Sequence, residues 1–508
     1  MGMLSGLTAV LSEPVLIVLV ALGTLAGVYV GAVPGLSGTM AVSLLVSFTL
    51  GWETRSALAV MIGVYVGAVF GGSRPAILLN VPGAPAAVAT SLDGYELAKK
   101  GRAGEAMGAA TVQSSIGTFF GVLALLLFAP PVSELARSFR SVDYLLLALI
   151  GLLAVGSLSG RSLTAGVIAG CAGIFLGCVG VDAQTAVRRF TFDVVYLNSG
   201  VDRVVAMIGL FGASEALFQL ADAKAAPVRQ KIDRVLPPLG DALRFLPLTL
   251  RSAVIGILVG ALPGAGGDVA ALLSYDHAKR TTAHPAVPFG EGALEGVIAP
   301  ETANNAAIGG AFIPMLTLGI PGDAVTAVLL SAFTVKGLRP GPNLIRESPE
   351  FFGFIVVCLL LAAIFLPLFG LTGVRAFVKL TEIPREVLMP SILVLSAVGA
   401  YAIRNSLADV LWMFLFGVAG YFLKRFGYPV APAVVGLILT RLCEENYRRG
   451  VMLAGSVPAM LASVFKSPVS VILLALLVFL LAAQARTRLR AKRKDMRHAA
   501  GQLDGDEH

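Results

Sequence analysis

Long apolar runs separated by short polar punctuation dominate the chain. Runs near the ~17–25 residues needed to cross a bilayer occupy 15–33, 56–72, 104–129, 142–158, 162–180, 204–221, 351–370, 406–423 and 468–483. Shorter or interrupted runs lie at 38–50, 75–92, 247–263, 292–300, 306–335, 386–402 and 428–442. The pattern predicts an all-α polytopic membrane protein of roughly 11–12 transmembrane helices plus half-helices.

The interruptions repeat. Gly31-Ala32-Val33-Pro34-Gly35-Leu36-Ser37-Gly38 matches Gly260-Ala261-Leu262-Pro263-Gly264-Ala265-Gly266-Gly267, 229 positions on. A second pair, Ala68-Val69-Phe70-Gly71 with Pro82-Gly83, matches Ala307-Ile308-Gly309-Gly310 with Pro321-Gly322 at an offset of 239. In hydrocarbon an unpaired backbone group costs several kcal/mol, so broken helices survive only where they are buried or line a cavity. Corresponding breaks in two halves of a membrane protein point to a transporter's binding site. Two repeats with broken helices meeting near the midplane are therefore expected.

The segment 222–244, with Pro227, Pro237, Pro238 and several basic residues, divides the halves. The expected organisation is a first membrane repeat (1–221), a cytoplasmic linker (222–244), a second repeat with scaffold helices (245–485) and a basic tail (486–508). The helices from about 351 onward lack paired breaks and read as scaffold, or as the counterpart of spans 104–221.

Charge then sets orientation. Only 14% of residues are charged, against roughly 25% in soluble domains. The net +8 collects at span ends, where Lys and Arg mark the cytoplasmic side, which argues against nucleic-acid binding. Arg486, Arg488, Arg490, Lys492, Arg493, Lys494 and Arg497 place the tail in the cytoplasm, as Lys224, Arg229, Lys231, Arg234 and Arg244 do the linker. An uncharged N-terminus outside and a linker inside make the repeats inverted. Against this, Lys99, Lys100 and Arg102 follow one second break while Lys336 and Arg339 follow the other, and an inverted pair cannot keep both sets cytoplasmic. Cys171, Cys178, Cys358 and Cys443 sit in apolar stretches without metal or disulfide spacing.

The candidate chemistry lies in the breaks. Glycine allows close backbone approach, and a helix N-terminus exposed at a break offers N–H donors to a carboxylate. Candidate substrate- and ion-binding residues are Gly35, Ser37, Gly38 and Thr39, then Ser73, Asn80, Pro82 and Gly83. In the second half they are Gly264, Gly266, Gly267, Glu301, Asn304, Asn305, Gly319, Pro321, Gly322 and Asp323. Glu301 and Asp323 follow prolines closely and also suit helix N-terminal acids. Glycines at Gly27/Gly31 and Gly63/Gly67 equally suit helix packing.

Residues 22–108 and 251–342 resemble the large membrane subunit of the tripartite tricarboxylate transporters, TctA. The matching runs are Gly71-Gly72-Ser73 to Asn80-Val81-Pro82-Gly83, Leu92-Asp93-Gly94-Tyr95, Ala299-Pro300-Glu301-Thr302-Ala303-Asn304-Asn305-Ala306-Ala307 and Leu318-Gly319-Ile320-Pro321-Gly322-Asp323. The resemblance implies import of a small carboxylate across the bacterial inner membrane, driven by an ion gradient. It also implies two partners, a TctC-like periplasmic solute-binding protein and a TctB-like small membrane subunit. Arg74 stands where the resemblance implies a small or uncharged residue; it either contacts a substrate carboxylate or snorkels.

No cofactor is indicated. Hydroxyl, amide and carbonyl oxygens at the breaks favour Na+ as coupling ion, with H+ as the alternative. A carboxylate channel is a competing reading. An intramembrane serine protease, spelled by Gly35-Leu36-Ser37-Gly38, lacks an apolar-span histidine, since His277, His284, His498 and His508 all lie in polar segments.

Overall fold

The computed structural model describes residues 2–33, 36–158, 163–182, 186–221, 244–283, 285–372 and 385–482. Pro34 and Gly35, most of the linker and the basic tail lie outside the described residues. Helices make up nearly all of the fold. Gly180–Val181 and Arg188–Arg189 form one short antiparallel ladder.

The first repeat is built on two helices that touch through glycine. On Pro14–Ala32, a Cβ at Gly23, Gly27 or Gly31 would collide with the carbonyl oxygen of Val60, Val64 or Ala68 on Thr54–Gly71. In return, Gly63, Gly67 and Gly71 sit on the carbonyls of Val20, Thr24 and Val28. Small residues let membrane helices approach to backbone contact, where dispersion replaces the hydrophobic drive that lipid cannot supply.

The second repeat uses the same pairs. Gly256 and Gly260 on Leu246–Gly260 meet the carbonyls of Ala303 and Ala307 on Glu295–Leu318, and Gly310 meets that of Ile257. Each contact is its first-half equivalent shifted by 229 on one helix and 239 on the other. The packing reading of these glycines and the repeat reading are both correct.

The second breaks are also copies. Asn80 (φ 54°) and Gly319 (φ 70°) end their helices in the left-handed conformation, and their N–H groups donate to the carbonyls of Pro75 and Pro314. The next N–H groups, of Val81 and Ile320, return to the same two carbonyls at 3.3 Å. The chain then folds back, so that Gly83 packs on the Gly31 carbonyl and Gly322 on the Gly260 carbonyl. A new half-helix follows each return, Ala87–Lys99 in one repeat and Ala324–Val335 in the other.

Contacts at the far ends of the four half-helices establish the inversion. Beyond Ala324–Val335, the ammonium of Lys336 donates to the carbonyls of Thr49, Leu50 and Trp52, just past Gly38–Phe48. On the opposite face, Lys100 donates to the Glu291 carbonyl at 2.6 Å. There Asp93 accepts from the N–H groups of Gly290, Gly292 and Ala293, past Gly266–Thr281. The first half-helix of each repeat thus finishes beside the second half-helix of the other. Lys336 also resolves the charge conflict. Its position is set by three carbonyl acceptors at a helix end, where a cation suits the macrodipole, so it carries no topological signal.

Among the described residues, seven helices are long and apolar enough to cross a membrane, or eight if the bent pair Val457–Lys466 and Pro468–Ala482 counts as one span. Gly38–Phe48, Leu246–Gly260 and Ala324–Val335 are shorter apolar helices that start or end at the breaks, and Ser141–Leu158 and Leu163–Gly177 add two more apolar helices. Glu295–Leu318 runs between the two faces but is not among the seven. It is buried along nearly its whole length, so it carries Glu301, Asn304 and Asn305 against protein instead of lipid.

Candidate functional site

All four breaks open on one cavity of about 830 Å³. Ser37, Gly38 and Thr39 line it from the first break, Ala84, Pro85 and Ala86 from the second, Gly264 to Val269 from the third, and Asp323 to Val325 from the fourth. Tyr65, Ala68 and Val69 from the middle of one through-running helix complete it, with Asn304 and Ile308 from the middle of the other. The cavity therefore lies midway between the two faces.

Each half-helix begins at this cavity, so its N–H groups and partial positive end face inward. Two of the four ends are closed by side chains. Ser37 accepts from the Met40 N–H at 3.1 Å, and Asp323 forms a capping box with Thr326. Gly266–Thr281 and Ala87–Lys99 have no side-chain cap. A fifth end arrives from far along the chain: Pro429, Val430 and Ala431 line the cavity at the uncapped start of Val430–Ala454. The helices past 351, expected as scaffold or as the counterpart of spans 104–221, thus contribute to the lining. Gly427-Tyr428-Pro429 was the signal, a glycine–proline break at the head of an apolar run.

Among the described residues, the charges in the lining are Asp268 and Asp323, with no Lys or Arg. Asp323 is held on both oxygens. Oδ1 accepts from the Thr326 N–H and hydroxyl at 2.7 Å each, and Oδ2 from the Tyr65 hydroxyl. Asp268 accepts from the Ala86 N–H through Oδ1 at 3.1 Å. The glycines between them are dictated by space. Gly266 (φ 58°) would place a Cβ 2.9 Å from the Asp323 Cβ, and a Cβ on Gly267 would strike Asn304 Oδ1. Asp268 and Tyr65 were absent from the residues singled out in sequence. Asp268 could have been found as the one acid in the third break.

Other expected residues lie elsewhere. Asn80 is exposed and serves as a left-handed helix cap, outside the cavity lining. Pro82, Gly83, Gly319, Pro321 and Gly322 shape the returning turns and are not in the lining either. Gly35 lies outside the described residues.

Ser73, Arg74, Glu301 and Asn305 are buried behind the cavity wall. Glu301 accepts from the hydroxyls of Thr90 at 2.6 Å and Ser114 at 2.9 Å, and Asn305 donates to Ser114 at 2.9 Å. Arg74 donates to Thr111 at 2.6 Å and to the Gly370 carbonyl at 3.0 Å, with its guanidinium 4.5 Å from the Phe70 ring centre. Arg74 is 1% exposed. It neither snorkels nor lines the cavity, and its partners, Thr111 and the Gly370 carbonyl, are buried with it. Asp93, from the Leu-Asp-Gly-Tyr run, is likewise a tether, bound to three N–H groups and the Tyr275 hydroxyl.

Comparison with known proteins agrees with this architecture. The chain is 35% identical over 442 residues, covering 87% of it and 88% of the relative, to an uncharacterized 52.8 kDa protein in the TAR-I ttuC' 3' region of Agrobacterium vitis. It is 39% identical over 199 residues, 39% of the chain and 82% of the relative, to an uncharacterized protein in the TAR-II ttuC' 3' region of the same organism. No solved structure matches it. A family model described as the tripartite tricarboxylate transporter TctA family matches residues 17–435, and the chain belongs to that family.

Proposed function

We propose that this chain is the large permease subunit of a binding-protein-dependent secondary transporter, importing a small carboxylate in symport with a cation, Na+. The observation that carries the reading is the convergence of five helix N-termini on one cavity, three of them without side-chain caps. Uncapped N-termini offer donors and partial positive charge to a carboxylate without a fixed cation. The cavity volume falls in the range of small-molecule sites, about 300–1,000 Å³.

The two aspartates support cation coupling. An anion entering beside them meets repulsion that only a co-bound cation or a proton relieves. The membrane potential adds to this need. A substrate of charge −2 entering against 100 mV is opposed by roughly 5 kcal/mol, and one of −3 by roughly 7 kcal/mol. Symport of more cations than substrate charges turns that opposition into drive.

The face carrying Lys99, Lys100, Arg102 and the end of the linker at Arg244 is the cytoplasmic one in this reading, in a bacterial inner membrane, with the C-terminus on the same side. A periplasmic solute-binding protein would deliver substrate to the opposite face, and a small membrane subunit would complete the complex. The test is uptake of labelled di- and tricarboxylates into vesicles, adding this chain, the small subunit and the binding protein in turn. Uptake that needs all three and an inward Na+ gradient is expected. Fast flux through the chain alone, indifferent to Na+, would show a channel and overturn the reading.

A further inference from the structure

We propose that a monovalent metal cation of the sodium type binds between Asp268 and Asn304, and that its presence is the condition for carboxylate binding beside it. The second half of that statement rests on reading the cavity as the carboxylate site. The two acids at helix starts would not be enough to define a site. A separate side chain points to the ligand.

Asn304 is 6% exposed and lines the cavity. Its amide nitrogen donates to the Val69 carbonyl at a long 3.4 Å. Its Oδ1 lies close against Gly267, where a Cβ would overlap it, and accepts no hydrogen bond among the described residues. An amide oxygen without a donor at the edge of a cavity is a hard ligand that a cation can take up. One residue past Gly267, Asp268 uses Oδ1 on the Ala86 N–H and leaves Oδ2 open to the cavity. On the wall formed by the first break, the Thr39 hydroxyl is 9% exposed and also without a partner among the described residues. One carboxylate with neutral amide and hydroxyl oxygens is a hard-oxygen set. A single open carboxylate matches one positive charge.

Asp323 plays a different part. Tyr65 and Thr326 occupy both its oxygens, so it stays in place as a fixed negative charge. Together the acids leave the empty cavity hostile to an anion. A cation on Asp268 neutralises the nearer charge and leaves the uncapped start of Gly266–Thr281 to act on the carboxylate. Binding is then ordered, cation first.

The experiment uses the full chain in lipid nanodiscs with no carboxylate present, measuring equilibrium binding of radiolabelled Na+ in choline buffer. Saturable binding is expected for the native chain. Asp268→Asn and Asn304→Ala should each weaken it at least tenfold in protein that stays monodisperse with an unchanged melting transition. Gly267→Ala, which presses on Asn304 Oδ1 without removing a ligand, is a second variant should either fail to fold. Undiminished Na+ binding in all three variants, or no saturable binding by the native chain, overturns the proposal. Uptake that becomes pH-driven and Na+-independent in the native complex would assign the open oxygen of Asp268 to a proton and also overturn it. Na+ binding that requires Asp268, with no carboxylate uptake under any condition, would retain the cation site and remove the transport reading. Na+-driven uptake that persists in Asp268→Asn would do the reverse.

Discussion

Gly267→Ala tests the cavity geometry with a single methyl group. Gly267 has an ordinary backbone conformation, so alanine adds no dihedral strain there, and its Cβ would meet Asn304 Oδ1 inside normal contact distance. Asn304 cannot retreat freely, because its helix is packed by Gly256 and Gly260 on one side and by Gly117 and Gly121 on another. Overpacking of this kind costs about 1–3 kcal/mol. If the shift falls on Asn304, that energy is lost from ligand binding, about 5- to 150-fold in apparent affinity at 1.4 kcal/mol per tenfold. The assay is Na+-dependent uptake into vesicles of the complete complex, with the Na+ concentration for half-maximal rate as readout. A rise within that range, with an unchanged amount of folded protein, is expected. A half-maximal Na+ concentration within twofold of native would refute the placement of Asn304 at the site.

Asn80→Gly should leave uptake and its Na+ dependence unchanged, since Asn80 is an exposed left-handed cap and glycine suits that φ; a loss of uptake beyond about tenfold, more than 1.4 kcal/mol, would return Asn80 to the binding site. Arg74→Ala takes the donor from the buried Thr111 hydroxyl and Gly370 carbonyl and empties a fully buried volume, and large-to-small changes in a core cost about 2–5 kcal/mol. Folded yield should therefore collapse, while any residual protein keeps its carboxylate affinity in a binding assay. Lys336→Met removes a charged donor from three carbonyls and should lower the melting transition without altering the half-maximal Na+ concentration, which a titration of uptake rate would check.

The backbone plan was legible in sequence because glycine and proline encode it directly. A proline fixes φ and a glycine permits contact or a left-handed turn, so duplicated breaks announced duplicated architecture. The side-chain roles were less legible. Asn80 and Asn304 were both candidate ligands, yet one is an exposed cap and the other is buried against the cavity. That difference depends on which helix face meets the other repeat, a contact made across more than two hundred residues. Val430 was missed for the same reason, since only the folded chain brings it to the cavity that the four breaks share. Hydropathy marked the apolar helices but not what surrounds them. It cannot separate a helix facing lipid from one such as Glu295–Leu318, which runs between the faces wrapped in protein and so tolerates Glu301 and two asparagines.

The central claim is that a cation carried on the cavity's acids offsets the charge of an imported carboxylate. The most direct measurement is the charge moved per substrate in vesicles holding the complete complex, with membrane potential set independently of the Na+ gradient. An inside-negative potential should accelerate uptake, and Na+ flux should exceed the substrate's negative charge in each turnover. Uptake that slows under an inside-negative potential and proceeds without Na+ would contradict the account.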